Sequence, residues 1–194
     1  RERIRHGRLA PGQHLIQEDL ANDLGVSRIP LREALHTLSA EGLISVLPQR
    51  GMAVAELSRT EVAELFELRA TLEPRLVDEA VRGARRRDID ELQVCADRMR
   101  QVTGDVRAGQ NYRFHRHIYS LAEQPLTLRF VDQLLHLGEP YSRRWVRSGT
   151  DLARIDDEHQ AMVDALRDGD ADLLRTTIVD HITGARDHVL ATFD

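Results

Sequence analysis

The amino-acid sequence predicts a mainly α-helical protein in two parts. The first is a small N-terminal module of short helices followed by a β-hairpin, and the second is a C-terminal antiparallel all-helical bundle of about six helices. Gly7, Pro11-Gly12, Gly25, Gly42, Pro48 and Gly51 punctuate the first 57 residues so closely that only short elements fit between them. From Ser58 onward apolar residues recur at three- and four-residue spacing through long stretches, the mark of amphipathic helices packed on one another. With 41% hydrophobic and 30% charged residues the composition is that of an ordinary globular chain. No apolar run approaches the roughly 20 residues that span a bilayer. The one cysteine, Cys95, cannot form an internal disulfide. These features predict a cytoplasmic protein with no membrane segment. The chain opens at Arg1 within helix-forming sequence, which leads us to expect residues before it in the natural protein.

Within the first module, helical spacing runs from Glu18 to Leu24 and again from Pro30 to Ala40, where Leu31, Ala34, Leu35 and Leu38 recur. Gly25-Val26-Ser27 joins the two segments. Leu43 to Leu47 and Met52 to Ala55 are short strand-like runs around Pro48-Gln49-Arg50-Gly51, a hairpin. Two helices with a tight turn and then a hairpin describe a winged helix-turn-helix, in which the second helix enters a DNA major groove and the wing touches backbone. Ser27 stands where it can cap that helix, and Arg28 and Arg32 project from one side of its first turns. Arg50-Gly51 places a cation and a closely approachable backbone at the hairpin tip. Glu33 reads instead as an intradomain ion-pair partner, since phosphate repels a carboxylate.

The overall charge of −5 is not that of a typical nucleic-acid binder, but its distribution is uneven. Residues 1–57 carry seven Arg against seven acidic side chains, so the whole excess lies downstream. Ser58-Arg59-Thr60-Glu61 fits a capping box. The boundary therefore falls near residue 57, giving domains 1–57 and 58–194. Helices are predicted at 59–82, 86–102, 105–122, 125–147, 151–167 and 170–192, the fourth with a candidate break at Gly138-Glu139-Pro140.

Three histidines fall where these helices should be apolar. His159 shares a stripe with Leu152, Ile155, Met162, Val163 and Leu166, and His181 with Leu174, Ile178, Ile182, Ala185 and Val189. His115 lies beside Phe114, Ile118 and Ala122, with Asn111 one turn earlier on the same face. A single inward histidine is ordinarily a satisfied core residue. Four converging polar groups need mutual partners or a metal, because each unpaired one costs roughly 1–3 kcal/mol. A divalent cation is the economical partner: zinc first, with nickel, iron or manganese as alternatives. Arg69 shares an inward stripe with Val62, Leu65, Phe66, Leu72 and Leu76, and a buried guanidinium needs an anion, either Glu73 one turn on or a bound effector. For His188, Tyr112, Tyr141, Arg143, Arg144 and Trp145, packing or solvated charge is the ordinary reading.

The first module resembles the GntR family of bacterial regulators through Gly7 to Gly12, Leu15, Glu18, Leu20-Ala21, the run Leu24 to Leu35, Leu38, Glu41-Gly42-Leu43 and Arg50-Gly51. That resemblance implies operator binding by Ser27, Arg28, Pro30 and Arg32, with Arg50 and Gly51 on the wing. Where some members carry an arginine near the start of the second helix, this chain has Glu18. The remainder looks like the FCD domain of the FadR-like branch through Arg69 to Glu73, Asn111 to His115, Glu158-His159 and His181. It implies a metal at the floor of an effector pocket, a homodimer on pseudo-palindromic double-stranded operator DNA, and repression relieved by the effector. Six helices correspond to the shorter, VanR-like variant. Asn111 stands where that family usually has Asp. The implied set Asn111, His115, His159 and His181 thus leaves a divalent cation short of negative charge, and a small carboxylate effector would complete it. The competing expectations are a regulator that senses the metal itself and a metal-dependent enzyme. The enzyme lacks a base, because Glu158, next to His159, is expected to point away from the site.

Overall fold

The computed structural model describes residues 1–148 and 151–193; the side chains of Arg144, Arg147 and Ser148 lie outside the description. Two compact units divide the chain, Arg1–Ser58 and Arg59–Asp194.

In the first unit, α1 (Glu2–Arg5) is followed by β1 (His14–Leu15), α2 (Gln17–Leu24), α3 (Arg28–Ala40), β2 (Ile44–Leu47) and β3 (Gly51–Val54). Gly25 ends α2 in the left-handed conformation, with φ 65°, where a side chain would be strained. That sharp stop makes the turn into α3 possible after only Val26 and Ser27. Ser27 holds the N-cap position, but its hydroxyl makes no capping bond. Leu31 and Leu35 of α3 are buried with Ala21, Leu43, Ile44, Met52 and Val54, so α3 packs its apolar stripe down and leaves its first turn outward. The sheet has one strand more than the predicted hairpin: β1 pairs antiparallel with β3, giving the order β1-β3-β2. The register Leu47 opposite Gly51 leaves Pro48, Gln49 and Arg50 as the wing tip.

The second unit consists of α4 (Arg59–Leu72), α5 (Val77–Gly83), α6 (Arg86–Gln101), α7 (Gly104–Ser120), α8 (Pro125–Ser148), α9 (Leu152–Asp168) and α10 (Ala171–Leu190). The helix expected over 59–82 is thus two helices, separated by a 3-10 turn at Glu73–Leu76. Pro74 explains the break, since it has no N–H for the α-helical ladder. Among the described residues this makes seven helices in place of the six that pointed to the shorter variant. The opposite correction holds at Gly138-Glu139-Pro140, where α8 runs on without a break. Pro140 forgoes one ladder bond, yet Leu135, Glu139, Tyr141, Arg143, Trp145 and Val146 on both sides of it are buried, and that packing holds the helix together.

α9 and α10 form a hairpin across Gly169-Asp170, and the Asp170 carboxylate caps α10 by accepting from the Leu173 N–H at 2.9 Å. α10 packs on α4, α8 and α9, while α7 packs on α6 and α8. Val62, Phe66, Phe114, Ile118, Met162, Ile178 and Ile182 are almost wholly buried, and the Phe114 ring packs edge-on against both His115 and His159. Among the described residues, no helix is long and apolar enough to cross a membrane.

Candidate metal centre and nucleic-acid surface

α7, α9 and α10 each bring one histidine to the same point of the core. His115, His159 and His181 are 1–3% exposed, and one ligand atom of each lies within 4.8 Å of the other two. The Nε2 atoms of His115 and His159 are 3.3 Å apart. Two imidazole nitrogens bound at about 2.0–2.1 Å to one tetrahedral ion would sit about 3.3 Å apart, so this pair already has the spacing of two zinc ligands. Burial first, then the ionisable neighbours, which disfavour a further positive charge, holds His115 and His159 well below the usual imidazole range: His181, His159 and Arg69 act on His115, and His181, Arg107 and Arg100 on His159. Both rings are therefore neutral near pH 7, the protonation state that binds a cation. Among the described residues, the Nδ1 atoms of both are buried without a hydrogen-bond partner. The donor set and its spacing fit a divalent metal.

His181 is held differently. Its Nδ1 lies 2.8 Å from Glu158 Oε2, and Arg154 donates to the other oxygen of that carboxylate. Glu158 therefore does not point away from the centre, as the sequence reading expected. The 100° step from His159 carries it round α9 onto α10, against the outer edge of a histidine on the neighbouring helix. Burial alone would raise the Glu158 pKa, but the hydrogen bond and charge of His181 and the pairing with Arg154 bring it below the ordinary carboxylate value.

Beside the histidines is a cavity of about 20 Å³, lined by Arg69, Asn111, His115, Glu139, Ser142 and Arg143 among others. That is room for about one water molecule. Asn111, half-buried, faces this cavity with His115. Arg69 lines it too and already has an internal anion: its Nε donates to Glu73 Oε1 at 2.6 Å, and the Tyr119 hydroxyl donates to the second oxygen of the same buried carboxylate. Burial opposes the Arg69 charge, but Glu73 more than offsets it and raises the guanidinium pKa. Arg143 is likewise buried and paired, with Asp105 Oδ1 at 2.7 Å and Glu139 Oε1 at 3.1 Å. Of the two ordinary readings for it, packing holds and solvated charge does not. Its spacing from Glu139, one turn back, was the signal that could have found the pair. Tyr112 also lines the cavity, whereas Tyr141 stacks on Phe193 and half-buried His188 sits beside Trp145, outside the histidine cluster.

In the N-terminal unit, Ser27, Arg28, Pro30 and Arg32 are all exposed, as are Arg50 and Gly51 on the wing. Ile29 between them is 73% exposed, so the start of α3 presents a free surface. Arg28 Nη2 lies 2.6 Å from Glu18 Oε1 on α2, and Arg32 Nε is 3.5 Å from His36 Nε2. Glu33, expected to form an intradomain ion pair, makes none among the described residues; the salt bridges of this unit use Glu2, Glu18, Asp23 and Glu41.

The profile of the FCD domain matches residues 64–184, and that of bacterial regulatory proteins of the gntR family matches residues 1–54. The HTH-type transcriptional regulator McbR of Escherichia coli (strain K12) is 32% identical over 150 residues, covering 75% of this chain and 63% of McbR, so the match spans less than two thirds of that relative. The probable D-xylose utilization operon transcriptional repressor of Paenarthrobacter nicotinovorans is 28% identical over 185 residues, 92% of this chain and 80% of the relative. The solved structure of E. coli McbR/YncC superposes over 99% of this chain and 93% of its own with a TM-score of 0.89 at 24% identity. A putative GntR regulator from Rhodococcus sp. RHA1 gives a TM-score of 0.86 at 19% identity, covering 100% and 94%. At such identities the two structures speak for the fold alone.

Proposed function

The chain belongs to the GntR family of bacterial regulatory proteins, in the branch whose helix-turn-helix is joined to an FCD domain, and from that premise we propose a metal-containing repressor that releases operator DNA when a small carboxylate binds in its helical unit. The relatives named above are regulators rather than enzymes, and one carries the name of a repressor.

Ser27, Arg28, Pro30 and Arg32 read the major groove, arginine being suited to the acceptor edge of guanine, while Arg50 and Gly51 touch flanking backbone. A homodimer sets two such helices about one DNA turn apart on a pseudo-palindromic site, in the cytoplasm where that DNA lies. The observation that carries the sensing half is the convergence of His115, His159 and His181 from three helices, with donor atoms within 4.8 Å, beside a cavity walled by Arg69 and Arg143. These histidines, with the Asn111 amide, would hold zinc, or nickel, iron or manganese in its place. A metal held there supplies a Lewis-acidic position for an oxygen ligand. Arg69 and Arg143 orient the same anion by exchanging part of their present pairing with Glu73 and Glu139 for it. The wall of α7 and α8 must move to admit such a ligand, and that movement is the signal.

The test is metal content of the purified protein, then titration calorimetry and operator binding by fluorescence anisotropy against a panel of small carboxylates. Carboxylates should bind only the metal-loaded protein and weaken its operator complex. Equal binding after complete metal removal overturns the reading. The small size of the cavity favours one second reading, a regulator that responds to the metal alone; its signature is a change in operator affinity on adding metal with no carboxylate present.

A further inference from the structure

The three histidines are not equivalent in what stands behind them. Among the described residues His115 and His159 have no hydrogen-bond partner on Nδ1, whereas Nδ1 of His181 meets the Glu158 carboxylate at 2.8 Å. Among the described residues no carboxylate belongs to the cluster itself, so three neutral imidazoles and the Asn111 amide would leave a divalent cation with its full charge. Glu158 is the acid in contact with that set. Its other oxygen accepts from Arg154, whose guanidinium lies so close to α10 that a Cβ on Gly184 would fall 3.1 Å from Nη1 and Nη2. Gly184 follows His181 by three residues, so the same face of α10 offers an imidazole and then makes room for the arginine.

We infer that Glu158 is the positioning residue of the metal centre, supplying through His181 the negative charge that Asn111 does not, and that Arg154 withholds part of that charge. This rests on the metal reading above. Accepting the Nδ1–H fixes the tautomer of His181, turns Nε2 toward the cation and makes it a stronger donor. The chain Arg154–Glu158–His181 runs from a 42% exposed guanidinium to a buried ring, so metal affinity is set partly at the protein surface. The two outer residues therefore act with opposite sign.

The test uses the full chain and Zn(II) or Co(II) alone, with dissociation constants from competition against a chromophoric chelator. Glu158→Gln keeps an oxygen for Nδ1–H but loses the charge, and should weaken binding about 10- to 100-fold. Arg154→Met should tighten it several-fold. The ¹⁵N shifts of the His181 ring, read without metal, should report an Nδ1–H tautomer in the parent protein and its loss in Glu158→Ala. A purely structural role would lower the melting temperature of these variants while leaving the metal constants within twofold of the parent, and that result overturns the inference. Tighter binding by Glu158→Gln, or no tightening by Arg154→Met, overturns the charge argument. A parent protein that binds neither ion removes the metal reading and this inference together, whereas parent binding with an unaffected Glu158→Gln removes this inference alone.

Discussion

Arg28 and Glu18 meet across the turn of the helix-turn-helix, Nη2 of one 2.6 Å from Oε1 of the other and both 66% exposed. An arginine assigned to DNA thus begins with an acid beside it on the same face. Removing Glu18 by Glu18→Ala frees the guanidinium for phosphate. Binding to unrelated duplex DNA should tighten and its salt dependence steepen, by about 0.9 in log–log slope for one added phosphate contact. Folding stability should change by less than about 1 kcal/mol, because an exposed pair contributes little. Anisotropy titrations at several salt concentrations measure the slope.

Arg32→Ala removes the other exposed arginine of α3. Loss of a bidentate contact to guanine should cost about 1–3 kcal/mol of operator affinity and relax the base preference at one position. Metal content and dimerisation should be unaffected. Retained sequence-specific binding would refute the role.

Acid should destabilise the metal-free protein from both buried imidazoles. His115 and His159 titrate well below 6.5 when folded, for burial reasons first, and near 6.5 when unfolded. Above that pH both are neutral in either state and contribute nothing. As pH falls below about 6.5 the unfolded chain takes up protons on both imidazoles that the folded one does not, so stability falls with a slope approaching that of two protons until the folded values are reached. Urea unfolding across pH 7.5 to 4.5 should show this slope, and saturating metal should delay its onset.

The Arg69–Glu73–Tyr119 group is a buried charge pair closed by a tyrosine hydroxyl. Arg69→Met leaves the Glu73 carboxylate, 0% exposed, with the Tyr119 hydroxyl as its one side-chain partner among the described residues and should destabilise by about 3–5 kcal/mol. Adding Glu73→Leu should recover much of that loss, because the second substitution removes the stranded charge. Chemical denaturation of the two single variants and the double variant gives the coupling.

Periodicity made the inward histidines legible, because nothing but burial places an imidazole between Ile155 and Met162 or between Ile178 and Ile182. The same periodicity hid the break at Pro74, since the apolar stripe passes through it to Leu76 and Val77 without a change of phase. At Pro140 the local rule misled in the other direction, and tertiary burial outweighed one missing bond. β1 has two residues, too few for any pattern, and is defined only by its partner β3. Glu158 was invisible as a supporting group because its contact is with another helix, 23 positions along the chain. The alternative partner named for Arg69, Glu73, was readable because it lies one turn away on the path of the same strand of sequence.

A space of about 20 Å³ beside His115 has a consequence for sensitivity. If a small carboxylate binds beside His115 as proposed, it does so only in the fraction of molecules whose wall has opened to admit it, and its apparent dissociation constant rises by the inverse of that fraction. On that reading the packing of α7 against α8 would set a concentration threshold. Side chains lining the cavity, such as Ser142, would then be the places where a dose–response curve is shifted left or right without altering what is recognised.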